Sequence, residues 1–432
     1  MYLTYDTQTY TALKGLTFRP QVDLTNSSLP INEFTVDVYT DDEITAGQYA
    51  ELYDDLDNLW AKYRVMRAVR VAPHVVRVYA RSDLQLLDDV TLPEIMYDGD
   101  ALVDIMDNVM VCSVGAGLVA TIPYALDSTL EAVELTGYCP EQTARERLQW
   151  ICMVTGAYVK SWFNDETEIL PIGSTARLIP LNRTFWRPSV SMSDYVSAVR
   201  VTQYAFTQGL QTEGEILDDN TSYPFPLPWV ADEAVIEVEN TATWDADNIV
   251  EVDGVYLINQ GNVSGLLGRL TGRYFKRLTV DLDVIDNGEY LPGERVIVYA
   301  NANTLYEGNI ESAAFKFGKQ ARATLHLTAA EEAEGAALTI TYLWNDITVA
   351  LETYTLPVGY AYSIPTRYID MTLDGHRYIL RPTTAAVTGT MTSEGAAVTV
   401  TCETALDLYE GTLHVISVDG VAYDQEGDVA IE

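Results

Sequence analysis

The sequence predicts a β-rich α+β protein, on three observations. Alternation of apolar and polar residues dominates the chain, helical periodicities are few and short, and two of them run into glycine. In "FTVDVY" Phe34, Val36 and Val38 share one face against Thr35 and Asp37, and "VVRVYA" at 75–80 repeats the pattern. A helix, "QYAELYDDLDNLWAKY", is expected to interrupt these strands, because Leu52, Leu56, Leu59 and Tyr63 recur every three or four residues.

Residues 93–157 read as a helical region. In "DGDALVDIMDNVMVCSVGAG" Leu102, Ile105, Met106 and Val109 supply the apolar face, and glycine is expected to end it. The next helix opens with Thr143 and Glu146, the spacing of a capping box, in which each side chain satisfies a backbone donor of the other. Ala144, Leu148, Ile151 and Cys152 then share a face, and Gly156 stops the helix because glycine adopts a left-handed conformation without a Cβ clash. After it, "AYVKSWF" and "TEILPI" flank Asn164-Asp165-Glu166 as a hairpin.

Strands return from residue 181, with Val199 and Val201 expected to alternate against Arg200 and Thr202, and the proline-rich "SYPFPLPWVADE" reads as a loop. A further helix, "NVSGLLGRLTGRYFKRL", presents Leu266, Leu267, Leu270 and Tyr274 on one side. Val280, Leu282 and Val284 then alternate with Asp281 and Asp283 ahead of an Asn287-Gly288 turn. Two strands follow, at "NIESAAFKF" and "ARATLHLTA", with Leu325 and Leu327 inward and His326 outward. "AAEEAEGA", from about residue 329, reads as a charged linker or domain edge. Beyond it lie the alternating "LTITYLW" and "VTVTCE", a Tyr-rich segment between them, and a terminal hairpin with Asp-Gly and Glu-Gly turns.

Composition excludes several functions. The 432 residues hold 26 basic and 63 acidic side chains, a formal charge of -37, so neutralisation of duplex phosphates or of an anionic membrane surface is disfavoured. No signal peptide opens the chain and no apolar stretch is long enough to span a bilayer, so neither Sec export nor membrane insertion is expected. Cys112, Cys139, Cys152 and Cys402 match no disulfide or zinc spacing and read as buried free thiols.

Catalytic chemistry finds no motif. His74, His326, His376 and His414 belong to no GxSxG, Cys-His or HExxH signature. In "DLDVIDNGEYL" and "DADNIVEVDG" Asp281, Asp283, Asp245 and Asp247 fit the first two positions of a calcium loop, but Ile285 and Ile249 occupy the third. No phosphate-binding glycine loop follows a strand, and acidic pairs in so acidic a chain discriminate nothing. Phe185 and Trp186, and Tyr223, Phe225 and Trp229, could stack on sugars but read as packing residues. No enzyme, metal or cofactor is expected.

The order of these parts resembles the phage tail hub (baseplate hub or tail-tip) proteins. The resemblance covers residues 1–330 and rests on "SDLQLLDDVTLP" followed by "DGDALVDIM", on "TARERLQWICMVTGAYVKSWFNDETEILPI", on "YVSAVRVTQY", and on "LPGERVIVY" with its turn at Pro292–Val296. It implies two hub-type β-barrels, at 1–92 and at 158–330 with an inserted helix, and a small helical region at 93–157 between them. It further implies a homotrimer whose barrels form a ring joining the tail tube to the tail tip, in cyclic, heterologous contact. The expected partners are tail tube or distal tail ring proteins and tail spike or fibre proteins, and the expected location is the virion tail, after synthesis in the bacterial host cytoplasm. Acidic side chains in the bore of such a ring would repel DNA phosphates.

Residues 338–402 resemble a different family, the mucin-binding-protein type repeats, through "VGYAYSI" and "TGTM". That implies a small β-grasp-like module at 331–404, followed by the hairpin at 405–432. It also implies contact with a host surface glycan through Tyr360, Tyr362 or Tyr368. "YLWNDI" stands where the family has a "YVDEDG"-like turn. The alternative to a tail hub is therefore a bacterial surface adhesin or glycan-binding protein.

Overall fold

The computed structural model describes residues 1–114, 118–185, 188–208, 229–240, 248–286, 288–300, 304–317, 322–409, 417–418 and 421–422. The chain forms two compact units, residues 1–298 with 307–331, and residues 299–306 with 332–432.

One 13-stranded, barrel-like sheet carries the first unit. Its hydrogen-bonded order runs Ser189–Met192, Leu278–Ile285, Arg322–Ala333, Leu305–Lys316, Leu13–Phe18, Glu33–Tyr39, Val75–Arg81, Leu59–Ala72, Tyr49–Tyr53, Tyr2–Tyr5, Gln8–Tyr10. Arg295–Tyr299 branches from Leu305–Lys316 and pairs in parallel with Ala176–Leu178. The early strands and the strands after residue 278 thus share one sheet. Alternation explains the burial: Phe34, Val36 and Val38 are buried, and so are Val280, Leu282 and Val284. An aromatic cluster lies beneath, with Trp60 against Phe163 at 4.7 Å and Phe315 at 4.8 Å between ring centroids, edge-on as their quadrupoles favour.

A second core is built by helices. α1 (Leu102–Met110), α2 (Ser128–Glu131), α3 (Ala144–Thr155) and α4 (Val263–Tyr274) contribute Leu102, Ile105, Met106, Leu130, Leu148, Ile151, Leu266 and Leu270 to one buried cluster with Val199 and Val201. The expected helix faces are the observed ones.

Several expectations fail. "QYAELYDDLDNLWAKY" is a hairpin, Tyr49–Tyr53 against Leu59–Ala72, and Leu56 is 81% exposed at its turn. Asp54 makes that turn by accepting from Leu56 N at 2.8 Å and Asn58 N at 2.9 Å, so the helical spacing of leucines was coincidental and the two-residue alternation of Ala50 and Leu52 governs. Region 93–157 is only partly helical, since Ile95–Ala101 pairs with Glu134–Cys139. α1 stops at Met110 and the chain turns into strand Val111–Val114, not at a glycine. Thr202 is buried beside Val201, not exposed. "WVADE" opens strand Trp229–Glu239, while the prolines of that stretch lie outside the described residues. The stretch expected as a charged linker or domain edge is no linker, since it is strand on both sides of Glu334 with Leu325, Leu327 and Ala330 extending the buried row, but the division between the two compact units does fall in it, between Glu331 and Glu332.

The second unit holds a five-stranded sheet in the order Ile347–Pro357, Gly335–Trp344, Ala396–Tyr409, His376–Pro382, Ile369–Leu373, with Gly335–Trp344 and Ala396–Tyr409 parallel. Leu338, Ile340 and Tyr342 are its fully buried row. "YLWNDI" makes a two-residue hairpin turn with Asn345 at φ 49° and Asp346 at φ 61°, residue types that tolerate the left-handed region. Ala361–Pro365 pairs with Ala386–Thr390, and Ser417–Val418 with Val421–Ala422.

Candidate functional site at the helix and hairpin joint

Around α3, buried polar side chains such as Asn26 and Arg147 end on backbone carbonyls. Thr143 caps α3 as expected: its Oγ1 accepts from Glu146 N at 3.2 Å and its N donates to Glu146 Oε2 at 2.9 Å. Gly156 ends the helix at φ 74°, and Ala157–Lys160 pairs antiparallel with Thr167–Pro171 as the predicted hairpin. What the sequence did not reveal is the set of partners that lock this unit in place.

The loop between Leu13–Phe18 and Glu33–Tyr39 grips α3. Asp23 organises it, accepting from Thr25 N at 2.9 Å, Ser27 Oγ at 2.7 Å and Ser28 N at 2.9 Å. Burial opposes the charged form of Asp23, but these hydrogen bonds outweigh it and hold the carboxyl below the ordinary carboxylate range. The turn puts Asn26 in the left-handed region at φ 55°, from which its amide donates to Cys152 O at 3.1 Å and Ala157 O at 3.0 Å. One side chain thus bridges the end of the helix and the first residue of the hairpin, adding a second donor to Cys152 O beside that of Gly156 N at 2.9 Å. Gln149 returns the contact, donating to Ser27 O at 2.8 Å, and Arg145 donates to Leu29 O at 3.1 Å.

α4 closes the other side. Arg269 donates to Met153 O at 2.6 Å and Val154 O at 3.3 Å, placing a cation on the negative end of the α3 dipole. Burial lowers the Arg269 pKa, yet the last-turn carbonyls compensate the desolvated charge. A Cβ on Gly156 would stand 2.9 Å from Arg269 Nε, so a glycine is needed there for space as well as for its φ.

The hairpin in turn seats on the turn of "LPGERVIVY". Gly293, at φ 94°, lies so close under Tyr158 that a Cβ would fall 2.2 Å from the ring. Gly173 N donates to Gly293 O at 3.1 Å, and Gly293 N donates to Ile310 O at 2.8 Å. The turn therefore joins the hairpin to strand Leu305–Lys316 of the large sheet. Helix, hairpin and barrel-like sheet make one joint.

This arrangement is scaffold in character. Beside it a cleft of about 350 Å³ is lined by Arg273, Tyr274, Glu311, Asp194 and Thr25, where burial raises Glu311 and lowers Arg273 to about 10. No histidine or thiol lines that cleft. Among the described residues no group of three or more His, Cys, Asp or Glu could hold a metal ion. Asp281 and Asp283 sit on a strand face, bonded to His326 at 2.8 Å and Thr324 at 2.5 Å, while Asp245 and Asp247 lie outside the described residues. His74 faces Asp41 at 2.7 Å, and His414 lies outside the described residues. Cys139 and Cys152 are buried free thiols pushed up to about 12 by burial, and Cys402 is buried too. The Arg322 guanidinium lies 4.1 Å from the centroid of the Phe185 ring, whereas Trp186, Tyr223 and Phe225 lie outside the described residues.

In the second unit Tyr368 is 60% exposed, Tyr360 half-buried, and Tyr362 buried with its ring against Gly389. No described helix is long and apolar enough to cross a membrane.

No family model and no curated protein matches the chain, so the mucin-binding-type resemblance of 338–402 gains no support there. Solved structures do match. The tail protein from Neisseria meningitidis is 11% identical with a TM-score of 0.49, covering 76% of this chain and 95% of that one. The prophage MuSo2 43 kDa tail protein from Shewanella oneidensis has the same identity, TM-score and coverage of this chain, and 97% of it is covered. An Escherichia coli type VI secretion component, described as structurally similar to T4 phage tail proteins gp27 and gp5, is 8% identical with a TM-score of 0.42, covering 89% of this chain and 92% of that one.

Proposed function

We propose that this chain is a structural hub subunit of a phage tail or phage-derived particle, a homotrimer that joins the tail tube to the tail tip and performs no chemistry of its own. The observation that carries the reading is the joint: the order of parts in the sequence folds into a unit whose buried polar side chains terminate backbone, with Asn26, Arg269 and Gly293 tying helix, hairpin and sheet together. Such a unit would hold its elements in fixed relation, and its polar side chains among the described residues end on backbone and not on an open site. Tail tube or distal ring proteins would meet one end, and spike or fibre proteins the other.

Contact with a host surface, glycan included, is the finer part of the proposal for residues 332–432, and the exposed Tyr368 ring is the side chain offered for it. Antibody labelling against the chain on intact particles tests the main reading. Label at the junction of tube and tip supports it, and label confined to uninfected cell envelopes would replace it with the surface adhesin.

A further inference from the structure

Two strand edges of the first unit lack a neighbour among the described residues, and they carry opposite charge. The first is 66–72 of Leu59–Ala72. Tyr49–Tyr53 pairs with this strand as far as Arg64 and residues 47–48 engage Val65, while Val75–Arg81 covers the other side throughout. Past Val65 the outer edge offers unpaired main chain, flanked by Met66 at 39%, Val69 at 39% and Val71 at 46% exposure. From Leu59 to Ser82 the chain has six basic residues and no acidic one, against an overall 26 to 63. Lys62, Arg64, Arg70, Arg77 and Arg81 each meet a carboxylate, but Arg67 lies over the Tyr79 ring at 4.3 Å and has no carboxylate partner among the described residues.

The second edge is Trp229–Glu239. It pairs along its whole length with Ala198–Gln208 and with nothing else among the described residues. Its side chains from 232 to 239 are exposed save for Ile236, with Val235 at 58% and Val238 at 36%. Asp232, Glu233 and Glu239 have no basic partner among the described residues, and Glu237 shares Arg200 with Glu251.

We propose that these edges are two halves of one interface, in which 66–72 of one copy adds as a strand to Trp229–Glu239 of the next. This deepens the hub reading and rests on it. Each edge repels its own kind, so the contact is heterologous, the type that closes a ring and not a two-fold dimer. The side chains match as well. Arg67 and Val69 stand opposite Tyr79 and Arg77, which alternate with the buried Val76 and Val78 and so face outward. Glu233, Val235 and Glu237 likewise alternate with Ile236, which sits opposite the buried Val201. With Val69 against Val235, Arg67 meets Glu237 in an antiparallel register or Glu233 in a parallel one. Main-chain hydrogen bonds supply the affinity and the charge pairing rejects wrong partners.

The test uses the full chain and measures assembly by sedimentation at low and moderate salt, with circular dichroism to check folding. Arg67→Glu alone, or Glu233→Arg with Glu237→Arg, is expected to raise the dissociation constant about tenfold or more, and combining all three in one chain to restore it. Mixed chains carrying Val69→Cys and Val235→Cys separately are expected to form a disulfide between copies. Assembly of both charge variants with wild-type affinity, or failure of the cysteines to join within an assembled sample, overturns the edge pairing and leaves the hub reading standing. A wild-type chain that stays monomeric overturns both.

Discussion

Around α3, polar side chains turn inward and end on backbone: Asn26 on Cys152 O and Ala157 O, Arg269 on Met153 O and Val154 O. At 66–72 and 232–239, one edge of the backbone is left open among the described residues and most side chains face water. The first region is closed within one chain and should answer to stability measurements. The second should answer to measurements of association. On the proposed edge pairing, this difference separates what holds one subunit together from what would join it to the next.

Substitutions at the joint should give the largest effects. Leu148→Ala removes a fully buried side chain from the helical core and is expected to cost about 3 kcal/mol in urea unfolding, with a cavity left behind. Gly293→Ala forces a Cβ into the Tyr158 ring at a positive φ and is expected to cost about 2–4 kcal/mol by the same measurement. Asn26→Ala removes a buried donor from Ala157 O and the second donor from Cys152 O, for a loss of about 1–2 kcal/mol, and faster amide exchange at the end of α3 would accompany it. Equal stability of all three variants with the wild type would erase the contrast between the regions.

Acid sharpens it. Asp23 has its folded pKa depressed, so its contribution is present above the unfolded value and is lost as pH falls through the lower folded one. Glu311, raised by burial, works the other way, since protonation above its unfolded pKa relieves a destabilising charge. Wild-type stability should therefore fall away below about pH 4, and Asp23→Asn should flatten that limb in urea titrations from neutral pH downward. An unchanged acid limb in the variant would remove Asp23 from the account. Smallest of all, Arg67→Glu should move the unfolding free energy by no more than about 0.5 kcal/mol, because its site is exposed.

Much of this was legible in the sequence. The capping box at Thr143, the stop at Gly156 and the hairpin after it follow from local chemistry, and local chemistry decided them. The inward rows of Val280, Leu282, Val284, Leu325 and Leu327 follow from alternation with no competing period. Residues 49–63 misled because their leucines also fit a helical spacing, and Asp54 and Asn58, which turn the chain, read as ordinary polar positions of a helix. Asn26 and Arg269 were invisible for another reason. Their partners lie more than a hundred residues away, and no local pattern marks a side chain that satisfies a distant carbonyl. The absence of negative charge from Leu59 to Ser82 was in plain view, but its meaning needed the knowledge that the outer edge of the strand's far half has no neighbour among the described residues.

The proposed three-fold ring is what the strand-edge pairing and the hub reading have in common. Native mass measurement of the full chain at micromolar concentration, with particle images of the same sample, addresses it most directly. A trimer with ring-shaped particles that weakens as salt is raised is expected. A single monomeric species across the concentration series would contradict it.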